Sequence, residues 1–193
     1  MNICIYGASS NIIDDVYIKD GESLGSIIAK RGHGIVYGGG AEGMMGAVAR
    51  GVSQENGSII GIAPSFFKVD GVLYDKCTEF IYTDTMRNRK EKMELLSDAF
   101  LVTPGGIGTY DEFFEILTLR QLCKHLKPIA IFDINGYFKP LIAMLDNTIS
   151  EKFMPESNRK LYFVSDDANK IIDYLENYKS EDTDITEFKN ISK

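Results

Sequence analysis

Apolar residues in this chain cluster into short, uninterrupted runs that are separated by segments with helical spacing. The runs are NICIY (2–6), GIVY (34–37), SIIGI (58–62), EFIY (79–82), AFLV (99–102), PIAIF (128–132) and the less regular KLYFV (160–164). Runs without polar alternation are typical of strands buried on both faces of a parallel sheet, and strands that alternate with helices indicate βαβ units. The pattern predicts a doubly wound, Rossmann-like α/β fold with a parallel sheet of about seven strands and helices on both faces.

The length of 193 residues suits one domain with a substantial core. After residue 165, the segment DDANKIIDYLENY predicts a closing helix with acidic residues in its first turn. The remaining residues, 181–193, are polar and show no periodicity. We therefore expect a single Rossmann-like domain over residues 1–180 and a mobile polar tail over residues 181–193.

Net charge and hydropathy argue against nucleic acid and membranes as partners. The chain has 21 Lys and Arg against 28 Asp and Glu, a net charge of -7, and no basic run interleaved with aromatic residues. Such a chain repels a phosphate backbone, so nucleic acid is not an expected partner. No stretch approaches the ~20 apolar residues of a membrane span, and no signal-peptide pattern follows Met1. We expect a cytoplasmic protein with no membrane partner.

Cysteine and histidine are too sparse to indicate a metal site. Cys4, Cys77 and Cys123 show no CxxC spacing, and His33 and His125 lie far apart in the sequence. The sequence therefore predicts neither a disulfide framework nor a histidine-rich metal centre.

Small residues concentrate in three segments that directly follow predicted strands. These are GASSN (7–11), GGGAEGMMG (38–46) and TPGGIGT (103–109). Glycines in any one of them could simply form a tight turn. However, ligands of doubly wound sheets bind at the carboxyl ends of the strands, and three such loops at one sheet edge favour a ligand that approaches the backbone.

The second loop contains Gly38, Gly40 and Gly43, which match the dinucleotide-binding pattern GxGxxG. The pattern should lie after the first strand and be followed by an acidic residue about 20 positions later, and neither condition is met. No glycine loop ends in Gly-Lys-Ser/Thr, so a Walker loop is excluded. What remains is a set of backbone N–H groups at helix N-termini, suited to the terminal phosphate of a mononucleotide or sugar phosphate.

The segment TMRNRKEKMELLSD predicts a helix that is capped by Asp84 or Thr85. Its apolar face also carries a guanidinium, because helical spacing aligns Arg89 with Met86 and Met93. Arg89 could extend to solvent or pair with a structural carboxylate. Alternatively, it could bind an anionic or planar ligand at the sheet edge.

The helix after the third glycine loop begins with several acidic residues. Asp111 is explained by the helix dipole alone. Glu112 must lie close to whatever ligand Gly105, Gly106 and Gly108 accommodate, so we interpret it as a candidate site residue.

Three motifs together resemble a known enzyme family. They are YGGGxxGxMG (37–46), MxxRKxxM (86–93) and PGGxGTxxE (104–112). In this order and spacing they resemble the Lonely Guy (LOG) family of cytokinin riboside 5′-monophosphate phosphoribohydrolases, and the similarity covers residues 2 to 163. Members have often been labelled lysine decarboxylases, but nothing here marks a lysine as a Schiff-base partner of pyridoxal phosphate.

The resemblance implies hydrolysis of the N-glycosidic bond of an adenine-type nucleoside 5′-monophosphate, without metal or cofactor. It assigns catalysis to Arg89 and Glu112 and counts Lys90, beside the arginine, among the substrate-binding residues. It also implies that Met86 and Met93 flank the base. The phosphate-binding positions it implies are Gly39, Gly40, Gly105, Gly106, Gly108 and Thr109.

Two departures from the family pattern leave the preferred base open between plain and prenylated adenine. Arg87 stands where plant-like members often have histidine, and the first loop reads GASS instead of GSS. A non-catalytic nucleotide-binding module and a broader nucleotide hydrolase are the alternative functions.

We also expect a homodimer. Apolar residues wrap around more of the helix at 109–125 than one sheet face can cover. They are Phe113, Phe114, Ile116, Leu117, Leu119, Leu122 and Cys123. Family members are typically dimers, and the helix at 86–97 would share the contact.

Overall fold

The computed structural model describes residues 1–68, 71–180 and 185–188. Its strands are β1 (Asn2–Tyr6), β2 (Gly34–Tyr37), β3 (Ile59–Pro64), β4 (Glu79–Thr83), β5 (Ala99–Val102), β6 (Ile129–Phe132) and β7 (Phe163–Ser165). Its helices are α1 (Asp15–Lys30), α2 (Gly43–Gln54), α3 (Met86–Leu96), α4 (Ile107–Gln121), α5 (Lys139–Ser150), α6 (Ala168–Asn177) and α7 (Ile185–Phe188).

The strands form one sheet in the order β4-β3-β2-β1-β5-β6-β7. Every neighbouring pair is parallel, so the predicted Rossmann-like fold is confirmed. The chain builds outward from β1 through β2, β3 and β4, and then crosses to β5 on the other side of β1. Strand order therefore reverses between β1 and β5, and such a switch point opens a crevice at the carboxyl ends of the strands.

Alternating residues of β1 belong to two separate apolar cores, one on each face of the sheet. Ile3 and Ile5 pack on the side covered by α1, α2 and α6. Cys4 and Tyr6 pack on the opposite side, which α3, α4 and α5 cover. All four side chains are at most 2% exposed, as expected for a strand buried on both faces.

The C-terminal part differs from the sequence prediction. Of the predicted strand at 160–164, the first residues belong to a 3-10 turn, Glu156–Leu161, and β7 begins only at Phe163. Within the segment expected to be a tail, residues 185–188 form the short helix α7, and Phe188 is buried in the second core. The rest of that tail prediction, at 181–184 and 189–193, lies outside the described residues. Among the residues that are described, no helix is long and apolar enough to cross a membrane.

Candidate active site

A cavity of about 500 Å³ opens at the strand switch point. Its lining comes from all three glycine loops, from α3 and α4, and from the segment that follows β3. The lining residues are Gly7, Ala8, Ser9, Gly38, Gly40, Ala41, Glu42, Met45, Phe67, Gly71, Val72, Leu73, Met86, Arg89, Gly106, Gly108, Thr109 and Glu112. The three loops at which the sequence predicted a bound ligand therefore lie around one cavity.

Backbone hydrogen bonds interlock the three loops. Ala8 N donates to Pro104 O at 3.0 Å, which joins the first loop to the third. Ala8 O in turn accepts from Met45 N at 3.1 Å, in the first turn of α2. Because the first loop already uses this N–H group, the N-terminus of α2 is partly capped from within the protein.

The N-terminus of α4 is more open to a ligand. Its N-cap, Gly106, provides no side-chain cap, and Gly106, Ile107 and Gly108 are exposed. First-turn N–H groups and the positive end of the helix dipole favour an anion at such a position. Of the two predicted phosphate loops, the structure therefore favours residues 106–109 over residues 38–46.

Arg89 is held in place from several directions. The Thr85 side chain caps α3 by accepting from Asn88 N at 3.1 Å. Arg89, on the first turn of that helix, is only 8% exposed. Its Nε donates to Ile62 O at 3.1 Å, and its Nη1 donates to Glu112 Oε1 at 2.8 Å. The guanidinium is thus fixed between the end of β3 and the first turns of α4.

Gly38 makes room for this arginine. A Cβ atom at Gly38 would lie 2.1 Å from Arg89 Nη2, far inside van der Waals contact. The first glycine of the GxGxxG pattern therefore serves the packing of a guanidinium against the backbone.

Glu112 completes a buried ion pair. It is 8% exposed, and burial raises the pKa of its carboxyl group, although Arg89 acts in the opposite direction. The arginine partner favours the ionised carboxylate within a low-dielectric cavity. Such an arrangement can stabilise positive charge that develops at a bound ligand, while the guanidinium can stabilise negative charge.

The remaining predicted residues fall into two groups. Met86 lines the cavity, as do Gly40 and Thr109. Met93 does not reach the cavity, because it is fully buried in the core beneath α3. Lys90 is also absent from the lining and instead contacts two acidic residues of α4.

Gly39 and Gly105 support the loops from outside the cavity lining. Gly39 has a φ of +76°, and a Cβ there would lie 2.6 Å from the Phe80 ring. Gly105 packs against the Thr109 hydroxyl, and its carbonyl accepts from the Tyr137 hydroxyl at 2.6 Å.

One wall of the site was missed by the sequence analysis. Residues 71–74 pair with the second glycine loop, since Ala41 N donates to Val72 O at 3.1 Å and Tyr74 N donates to Gly39 O at 2.9 Å. With Phe67, this segment gives the cavity an apolar wall. Gly71, whose φ is +79° in the structure, is a local sequence signal for a turn. It does not indicate that the turn lies against the second glycine loop.

The fold and the cavity define a Rossmann-like α/β protein with a cavity at the switch point of its sheet. A family model described as "Possible lysine decarboxylase" matches residues 45–175. The chain is 34% identical over 176 residues to the probable cytokinin riboside 5′-monophosphate phosphoribohydrolase LOGL9 of Oryza sativa subsp. japonica, covering 91% of this chain and 78% of that one. The chain belongs to this family, the LOG family, whose named relatives are hydrolases.

A second named relative supports this placement, and a solved structure supports the fold. Cytokinin riboside 5′-monophosphate phosphoribohydrolase LOG2 of Arabidopsis thaliana is 30% identical, with 91% of this chain and 83% of that one covered. The molybdenum cofactor binding protein of Rippkaea orientalis has a TM-score of 0.70 at 21% identity, covering 91% of this chain and 94% of that one. At this identity, the second similarity concerns the fold alone.

The packing at Gly38 leads to a stability prediction. Gly38→Ala should displace the Arg89 guanidinium and leave Glu112 with a weaker partner, lowering the free energy of unfolding by about 1–3 kcal/mol. Gly108→Ala is the control, since a Cβ there meets no heavy atom within 4 Å. Chemical denaturation measures both variants, and equal stability of the two would contradict the packing role of Gly38.

Proposed function

We propose that the protein hydrolyses the N-glycosidic bond of adenine-type nucleoside 5′-monophosphates and releases the free base and ribose 5-phosphate. The observation that carries the proposal is the buried Arg89–Glu112 pair, with its 2.8 Å contact, in the wall of a cavity beside an open helix N-terminus. Family membership supports the reaction class. At 30–34% identity to named relatives, the substrate itself is part of the proposal, as is a cytoplasmic location.

The substrate would lie across the cavity with its 5′-phosphate at the N-terminus of α4. The N–H groups of residues 107–109 would bind the phosphate, and the helix dipole would favour its charge. The binding energy of this remote group would hold the ribose in a fixed orientation relative to the reacting groups. The apolar wall formed by residues 71–74 and Phe67, together with Met86, would contact the base.

The two charged residues would stabilise opposite charges in the transition state. Bond cleavage develops positive charge on the ribose and negative charge on the departing base. Glu112 Oε1 is occupied by Arg89, so we assign its second carboxylate oxygen to the ribose and the attacking water. Arg89 would hydrogen-bond to the base and stabilise its charge, and water would supply the proton, since a guanidinium does not readily release one.

A direct assay tests this function. Purified protein incubated with AMP or isopentenyladenosine monophosphate, without added metal or cofactor, should release free base that is detected by chromatography. Adenosine lacks the phosphate that α4 would bind, so its kcat/KM should be at least about tenfold lower than that of AMP. Equal values would contradict the phosphate site.

The catalytic roles predict the effect of two substitutions. Glu112→Gln and Arg89→Ala should each lower kcat by roughly a hundredfold or more, because each removes a preorganised electrostatic group. Glu91→Gln, at an exposed carboxylate on α3, is the control and should retain full activity. Thermal melts establish that the variants are folded. A folded variant at either site residue with wild-type kcat would assign that residue to a structural role.

Two alternatives are outcomes of the same assay. A non-catalytic module, such as the carriers with a similar fold, would bind the nucleotide and release no base. A broader nucleotide hydrolase would cleave purine and pyrimidine monophosphates at similar rates. The buried Arg89–Glu112 pair favours an enzyme over a carrier, since binding of a phosphate alone requires neither charge.

We also propose that the protein is a homodimer through α3 and α4. Phe113, Ile116 and Leu117, which the sequence prediction assigned to a dimer contact, are already buried within the monomer. Leu95 on α3 and Ile107 on α4 are instead 68% and 88% exposed, and these apolar side chains would gain from burial in an interface. Light scattering should give the mass of a dimer, and Leu95→Glu should shift it toward the monomer. Met144→Glu on α5 is the exposed apolar control. A wild-type monomer at micromolar concentration would contradict this proposal.

A further inference from the structure

Lys90 connects the two helices that carry the proposed catalytic pair. It follows Arg89 on α3, and its Nζ lies 3.0 Å from Asp111 Oδ2, in the residue that precedes Glu112 on α4. The same Nζ contacts Glu115, one turn further along α4. Lys90, Asp111 and Glu115 thus form a second ionic cluster on the same two helices. Arg89 is adjacent to Lys90 in the sequence, and Glu112 is adjacent to Asp111.

We propose that Lys90 is a positioning residue for the reaction: it ties α3 to α4 and neutralises the carboxylates beside Glu112, which keeps Glu112 ionised. This inference rests on the proposed hydrolysis. It replaces the substrate-binding role that the family resemblance implied for Lys90.

Lys90 does not line the cavity, but its charge acts on the Glu112 carboxylate. Its side chain is 20% exposed, and Lys90 is not among the cavity-lining residues. A cation that contacts two carboxylates is held in place by both, and such a network contributes more to stability than an isolated surface ion pair.

The charges around Glu112 show why this cation matters. Burial raises the pKa of Glu112. Arg89 on α3 opposes this rise most strongly, Asp111 on α4 adds to it, and Lys90 on α3 acts with Arg89 to favour the ionised form. Tyr6 and Cys4 approach from β1, and burial raises the pKa of both, so they are neutral at ordinary pH. Without Lys90, Asp111 would repel the Glu112 carboxylate with only Arg89 opposing it.

A spectroscopic titration tests the proposal independently of activity. Carboxylate 13C NMR on glutamate-labelled protein follows Glu112, assigned by the resonance that Glu112→Gln removes. Lys90→Met should raise the pKa of Glu112 by about half a unit or more, whereas Lys90→Arg should leave it unchanged. Lys92→Met removes the same charge from the same helix away from α4 and should have no effect. The double variant Lys90→Met/Asp111→Asn should bring the pKa back toward the wild-type value.

Kinetics separate positioning from substrate binding. Lys90→Met should move the acid limb of the kcat/KM profile to higher pH by the same amount and lower kcat, with KM for AMP unchanged. An unchanged pKa of Glu112 in folded Lys90→Met, or a tenfold rise in KM with unchanged kcat, would overturn the proposal. If Lys90→Met does not fold, Asp111→Asn alone should lower the pKa of Glu112, and no shift would overturn it. Absence of wild-type hydrolysis would refute the proposed function, while the NMR titration would still decide the electrostatic role of Lys90.

Discussion

The site depends on keeping one buried guanidinium paired. Arg89 and Glu112 are each 8% exposed, and leaving either charge without its partner in that environment would cost several kcal/mol. The fold meets this requirement with the Ile62 carbonyl, the missing side chain at Gly38 and the approach of α3 to α4. These elements come together because strand order reverses between β1 and β5, which brings the loops at the carboxyl ends of β1, β2 and β5 around one crevice.

The glycine-rich loops perform different tasks at this crevice. The first loop caps α2 and joins the third loop through the backbone of Ala8. The second loop accommodates the arginine and pairs with residues 71–74. Of the three loops, only the third leads into a helix N-terminus that is both exposed and without a side-chain cap, which suits an anion. Small residues mark all three loops as places where another group can approach the backbone, but in the first two loops that group belongs to the protein itself.

Sequence patterns predicted the features that depend on local periodicity. The runs GIVY and AFLV coincide with β2 and β5, and helical spacing correctly directed Arg89 toward the apolar side of α3. Features set by long-range contacts were not predictable. The apolar wall at 71–74, the contact of Lys90 with α4 and the position of Met93 in the core instead of at the cavity all require the tertiary arrangement. The burial of Phe188 also depends on the tertiary arrangement. The residues around it are polar and suggested a tail, but its side chain packs into the second core.

A crystal structure of the Glu112→Gln variant with bound AMP would show directly whether the charged pair and the N-terminus of α4 hold the nucleotide as proposed. We expect the 5′-phosphate at the N–H groups of residues 107–109, C1′ of the ribose beside residue 112, and the base within hydrogen-bonding distance of Arg89. A nucleotide bound outside the cavity, or inside it with the base at the N-terminus of α4 and the phosphate on Arg89, would contradict the assignment of charges on which the proposed hydrolysis rests.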